Sequence, residues 1–261
     1  MKRPTHDRPD AAVAVMDQPP DVAPTANPGT PANVVLSVLS GGDVSLGLLM
    51  SIVDLLAFDT ANHRRIFDGG GRIFRHASVN ISGPRNSVVR EFLAGPADWL
   101  WMIDADMTFP PDALERLLAS ADPVNAPIVG GLCFGSTEGV MWPTMYDLVS
   151  DEHGPGFMRW TNVPENTMVQ VTATGGACLL VHRDALTAIG EKFAGPYPWF
   201  QETSLGNEPM GEDFTFCLRA GMCEIPVYVH TGVKVGHVKA THLNYDRYVA
   251  QLATSAPEEP K

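Results

Sequence analysis

The chain has 261 residues, with 18 Lys and Arg against 30 Asp and Glu, and a formal net charge of −12. That balance argues against a general nucleic-acid binder and a polybasic membrane anchor, both of which need a basic footprint. Hydrophobic residues make up 44%, which at this length builds one sizeable domain with its own core.

Pro4, Pro9, Pro19, Pro20, Pro24, Pro28 and Pro31 punctuate an N-terminal run of Ala, Asp and Thr. Residues 1–31 are therefore expected to be a disordered tail, and 254–261 likewise. The charged start MKRPTHDRPD lacks the apolar stretch of a signal peptide. The longest apolar run, 46–58, is broken by Ser51 and Asp54 and is too short to span a bilayer. The expected location is the cytoplasm. Cys133, Cys178, Cys217 and Cys223 show no CxxC spacing and are expected to be reduced packing residues.

Within the folded body, 32–253, strand and helix signals alternate. The run 34–39 reads as a buried first strand closed by Gly41-Gly42. Asp43 is the expected cap of a helix over 46–58. A second strand is predicted over 72–81, and a helix with Pro84 in its first turn through about Leu93. Residues 99–103, WLWMI, are a third strand, followed by a helix after Pro110-Pro111-Asp112 and a fourth strand over 127–129. This order implies a mainly parallel sheet flanked by helices. Beyond Gly131 shorter strands are expected, then a strand over 169–174, a helix over 213–220 and a strand over 225–230. The body divides into a nucleotide-binding half, 32–132, and a smaller, mixed C-terminal half, 133–253, that closes the site.

The chemistry concentrates at a few places. A strand apolar on both faces runs into Asp104-Ala105-Asp106. At strand spacing these carboxylates point the same way, beyond the carboxyl end of the sheet where α/β ligands bind. Two such charges repel unless a hard cation joins them, for which Mn²⁺ or Mg²⁺ is suited. A helix-capping turn is the competing reading. Gly211-Glu212-Asp213 offers either a general base or a plain N-terminal cap. His237 fits a metal ligand or a structural histidine. Arg85 with Asn86 fits a phosphate or base contact, or an exposed surface. Gly175-Gly176 permits close backbone approach to a ligand, or a tight turn. Trp142, Trp199 and Tyr197 fit sugar stacking or, each taken alone, core.

In this order the motifs resemble the GT-A fold glycosyltransferases of the family 2-like group, above all the compact ones of bacterial viruses and their hosts. The stretch DADMTFPPDALERLL and the segment from Thr174, TGGACLLVHRDAL, carry most of the likeness. The resemblance implies a metal-dependent transfer of one sugar from a UDP- or GDP-sugar to an acceptor hydroxyl. It implies Asp104, Asp106 and His237 as metal ligands. Ser37, Arg85, Asn86, Ala105, Gly175 and Gly176 join Asp104 and Asp106 around the donor. Asp213 is the implied base of an inverting reaction, with Glu212 beside it. An Asp213 beneath the sugar face would fit retention instead. The acceptor is left open among protein, saccharide and lipid head group.

Three departures stand out. Leu39-Ser40-Gly41-Gly42 replaces the usual Tyr-Asn after the first strand. Asn80-Ile81-Ser82-Gly83 stands where an Asp-Gly-Ser turn is usual. No QxxRW is present, which favours single-sugar transfer. Two rival readings remain. Asp104-Ala105-Asp106-Met107-Thr108 is also similar to the haloacid dehalogenase-type phosphohydrolases, where Asp104 would be the nucleophile, Asp106 the acid/base and Lys192 the basic partner. A GT-A domain that binds nucleotide or glycan without turnover is the other.

Overall fold

The computed structural model describes residues 33–40, 43–68, 73–76, 81–137, 140–152, 154–239, 245 and 249. The N-terminal tail, Gly41-Gly42, Asn80 and most of the chain beyond Lys239 lie outside them. The chain runs β1 (Val34–Leu39), α1 (Leu46–Asn62), α2 (Arg65–Asp68), β2 (Ile73–His76), α3 (Ser82–Leu93), β3 (Trp99–Asp104), β4 (Met107–Thr108) and α4 (Ala113–Ser120). It continues through β5 (Ile128–Leu132), β6 (Phe134–Thr137), β7 (Val140–Pro143), β8 (Met145–Asp151), β9 (Gly154–Arg159), β10 (Met168–Val171), β11 (Ala173–Thr174) and β12 (Cys178–His182). It closes with α5 (Arg183–Lys192), β13 (Thr203–Leu205), β14 (Glu208–Met210), α6 (Glu212–Met222), β15 (Val227–Lys234) and β16 (Gly236–His237). No described helix is long and apolar enough to cross a membrane.

Seven strands form the main sheet in the order β10-β15-β5-β12-β3-β1-β2. β2, β1 and β3 pair in parallel, as do β15 and β5, while β12 and β10 run antiparallel to their neighbours. The mainly parallel α/β sheet expected from the sequence is present. The simple succession of strands is not, because β12 inserts between β3 and β5. Strands from both halves of the chain therefore interleave in one sheet. The segment expected to be a strand over 169–174 is split at Thr172 between β10 of the main sheet and β11 of a small three-stranded sheet.

β3 sits in the middle of this sheet, which explains its unbroken apolar sequence. Its side chains alternate with period two. Leu100 and Met102 join Val88, Val89 and Phe92 of α3 and Leu186 and Ile189 of α5 in one buried cluster. Trp99, Trp101 and Ile103 join Leu48 and Leu55 of α1 and Leu114 and Leu117 of α4 in the other. The interior thus forms one layer on each face of the sheet, and only Asp104, at the strand's end, reaches out of it.

Two local expectations are revised. Ser45, not Asp43, caps α1: its hydroxyl accepts from the Leu48 amide at 3.1 Å. α3 begins at Ser82, so Ile81 belongs to the helix entry rather than to the second strand. None of the four cysteines is in a disulfide; Cys133, Cys178 and Cys217 are buried. Burial pushes the Cys217 thiol up to about 12, which suits a packing residue.

Candidate active site

β3 delivers Asp104 to the carboxyl edge of the parallel strands. The strand stops there: Ala105 and Asp106 form a turn into β4, so Asp106 is placed by the turn and not by strand alternation. Three neighbouring segments pin this turn. Ala105 donates to the Leu39 carbonyl at 2.8 Å, Ser45 donates to the Ala105 carbonyl at 3.0 Å, and Val238 donates to the Asp106 carbonyl at 2.8 Å. β16 pairs antiparallel with β4, His237 opposite Met107. Late chain and early turn are thereby locked in register.

The two carboxylates have different partners. Asp106 Oδ2 lies 3.0 Å from His237 Nε2 and accepts from Lys239 Nζ at 3.3 Å. His237 Nδ1 lies 2.9 Å from the Phe134 carbonyl oxygen, so it carries the proton of that bond. Nε2 of a neutral ring then presents a lone pair to a carboxylate. That arrangement is satisfied by a proton on Nε2 or by a cation shared between the two.

Asp104 turns to Arg85 instead. Arg85 Nη2 donates to Asp104 Oδ1 at 2.9 Å and Oδ2 at 3.3 Å, and Nη1 lies 3.5 Å from Glu212 Oε1. The Arg85 side chain is only 2% exposed. Burial alone would lower its pKa; the Asp104, Glu212 and Asp213 charges more than reverse this. Burial pushes both the Asp104 and Glu212 carboxyls above the usual carboxylate range, against the attraction of Arg85. Neighbouring acids add to the rise: Asp106 and Asp213 for Asp104, Asp213 and Asp104 for Glu212.

Gly211 caps α6 with extended backbone, and Glu212 and Asp213 open the helix. Asp213 Oδ1 accepts from the Phe214 amide at 2.8 Å. Its other oxygen takes no hydrogen bond among the described residues. The two acids therefore differ: Glu212 lies 3.5 Å from the buried Arg85 guanidinium, whereas Asp213 acts on it only from farther away.

Several expected donor contacts are reassigned. Arg85 does not line an open nucleotide pocket; it is enclosed and spans the two acidic motifs. Asn86 is fully buried. Its amide nitrogen donates to the Ser82 and Phe200 carbonyls at 2.7 and 2.6 Å, and its oxygen accepts from the Trp199 amide at 3.2 Å. It anchors α3 to the 199–200 segment and has no group left for a donor. Ser37 is fully buried in mid-strand, its hydroxyl without a partner among the described residues. Gly176 does permit a close approach, but by Arg85: a Cβ there would sit 1.7 Å from Nη1. At Gly175 the neighbour is Thr144, 3.3 Å from such a Cβ. Trp199 is core, its indole donating to the Leu186 carbonyl at 2.6 Å. Trp142 stacks against Arg159 at 3.9 Å, and Tyr197 is exposed.

The expected trio of Asp104, Asp106 and His237 is split in the same way. Among the described residues, no group of three or more His, Cys, Asp or Glu side chains is gathered to hold a metal ion. Asp106 and His237 form a pair, and Asp104 is drawn to Arg85. Lys239 escaped the sequence reading; it lies beyond the end of β16, where strand spacing gives no signal. Lys192 donates to the Met222 carbonyl rather than serving Asp104 as the phosphohydrolase reading required.

Two solved structures share this architecture. One is A197 from STIV, at TM-score 0.52 and 16% identity, over 80% of this chain and 86% of that one. The other is GalNAc-T7 with UDP, GalNAc and Mn²⁺, at TM-score 0.53 and 12% identity, over 81% of this chain and 44% of that one. The chain thus aligns with less than half the length of GalNAc-T7. At these identities the likeness establishes the fold, which is GT-A. No curated protein sequence matches the chain. Residues 62–253 match the family Glycosyltransferase like family 2, and the chain belongs to that family. The family assignment sets aside the phosphohydrolase reading.

Proposed function

We propose that the chain moves one sugar from a nucleoside-diphosphate sugar to an acceptor hydroxyl, with a divalent cation, Mn²⁺ or Mg²⁺, at Asp106 and His237. The observation that carries this reading is the 3.0 Å approach of His237 Nε2 to Asp106 Oδ2 while Nδ1 is committed to the Phe134 carbonyl. An oxygen and an imidazole nitrogen fit a Mn²⁺-class ion, and such ions take one or two carboxylates and complete their shell with phosphate and water. Asp104 is the second carboxylate on the same turn. When bound, the ion supplies Lewis-acid stabilisation of the charge that develops on the leaving diphosphate. GalNAc-T7 was solved with UDP and Mn²⁺, which supports the same donor chemistry here.

The protein's own groups do the rest. The Lys239 ammonium, half exposed beside Asp106, adds a positive charge for a phosphate oxygen. Arg85 holds Asp104 and Glu212 in place without leaving the interior. Asp213, with no close ion pair among the described residues, keeps a carboxylate oxygen available to take the acceptor proton. A base on the acceptor side gives inversion. The test is Asp213→Asn: nucleotide binding should persist and sugar transfer should stop. Full transfer by that variant would overturn the assignment.

A further inference from the structure

β13 and β14 form a hairpin just before α6, turning through Gly206 at φ +61°. Between this hairpin and Glu212 lies an open surface depression of about 660 Å³. We infer that this depression receives the acceptor, and that the acceptor is an uncharged saccharide. The inference rests on the transferase reading above and names the substrate class for it.

Position comes first. Glu212 forms one wall of the depression. It is linked through Arg85 to Asp104 and is followed in sequence by Asp213. Gly211 also lines the depression, and Asp213 Oδ1 lies 2.8 Å from where a Gly211 Cβ would sit, which brings the proposed base to the edge of the same depression.

Charge comes next. No Lys or Arg lines the depression; its ionisable groups are Glu202 and Glu212. A phosphate or sulfate group would meet carboxylates alone, a repulsion that partial burial strengthens. Arg219, which touches the lining residue Gln201, is spent: its Nη1 donates to the Tyr197 carbonyl at 2.6 Å and its Nη2 to Gln201 Oε1 at 2.7 Å. Glu212 is offset only in part, because Arg85 shares its one charge with Asp104. Glu202 and the remainder of Glu212 are the unmatched charge of the lining, too little to select a polycationic peptide.

The lining also suits a sugar. Because Gln201 Oε1 accepts from Arg219, its amide NH₂ is left to donate. Ser204 adds an exposed hydroxyl, and the Thr203 hydroxyl is fixed 2.7 Å from Thr215 Oγ1. Pro209 and Met210 supply apolar surface for the C–H face of a ring. An apolar surface with a few fixed polar groups orients a small polar ligand.

The test is saturation-transfer NMR on the full chain without donor. The probes are methyl glucoside, methyl galactoside, methyl N-acetylglucosaminide, their phosphorylated counterparts and a Lys/Arg-rich peptide. At least one neutral glycoside should bind and its phosphorylated counterpart should not. Ser204→Trp should abolish the signal. Gln201→Ala should weaken binding about tenfold, the loss of roughly one hydrogen bond. Unchanged thermal midpoints would show that both variants fold. Equal binding of charged and neutral sugars, binding of the peptide alone, no glycoside binding, or a signal indifferent to Ser204→Trp would overturn the inference. Nucleoside diphosphate release is assayed separately. Release without glycoside binding sinks the acceptor assignment alone. Glycoside binding without release from any donor sinks the transferase reading and leaves the depression's occupant standing.

Discussion

His237 Nε2 lies 3.0 Å from Asp106 Oδ2 although 131 residues separate them in the chain. The antiparallel pairing of β16 with β4 makes this contact, and the Phe134 carbonyl fixes the ring that makes it. If a divalent ion uses this pair, Asp106→Ala should abolish Mn²⁺-dependent binding of a nucleoside diphosphate. His237→Ala should weaken it by at least the roughly 10- to 100-fold that loss of even an outer partner costs a metal site. Titration calorimetry with and without EDTA measures both. Unchanged Mn²⁺ dependence in either variant would contradict the assignment.

Arg85 is a structural cation between two acidic motifs. Replacing it by Met leaves Asp104 and Glu212 partly buried and unpaired, which should cost about 3–5 kcal/mol in urea unfolding. Adding Asp104→Asn should recover part of that loss, because the two sites are in contact and not additive. Gly176→Ala should act through the same side chain, since its Cβ would sit 1.7 Å from Arg85 Nη1. An Arg85→Met variant as stable as the parent would show that the clamp contributes nothing to the fold.

His182 supplies a pH dependence away from the site. Its Nδ1 accepts from the Asp184 amide at 3.3 Å at the start of α5, and its ring meets Trp99 edge-on with centroids 4.8 Å apart. Burial lowers its pKa, the flanking carboxylate of Asp184 opposing. A lowered folded value means that the fold favours neutral imidazole. The stabilisation is then complete above the unfolded value of about 6.5 and is lost as pH falls through the folded value. His182→Asn keeps a capping side chain but does not titrate there. Its thermal midpoint should fall less than the parent's between neutral and mildly acid pH. His230, lowered by burial and then by Arg116, acts with the same sign, so the variant flattens the curve without levelling it. Parallel curves would contradict the assignment.

Much of the fold was legible because its signals were local. A strand apolar on both faces marked the sheet's centre, and acids after it marked the sheet's carboxyl edge. The interleaving of β12 was not legible, since nothing in the apolar run 178–182 tells parallel from antiparallel pairing. The acidic motifs were readable as such. Their partners were not: Arg85 read as a donor contact or an exposed residue at a helix start, and only the tertiary packing of α3 buries it against Asp104. Asn86 misled for the same reason, its amide being engaged by the Phe200 carbonyl, 114 residues away in the chain. Gly176 was expected to let a ligand approach closely, but what approaches it is a side chain of this chain, Arg85.

The most direct test of the account is release of nucleoside diphosphate from a panel of UDP-, GDP- and dTDP-sugars, with Mn²⁺ and with EDTA. The account predicts slow release from one donor, abolished by EDTA and by Asp106→Ala. Release that is indifferent to EDTA, or no release from any donor with or without neutral saccharide present, would contradict it.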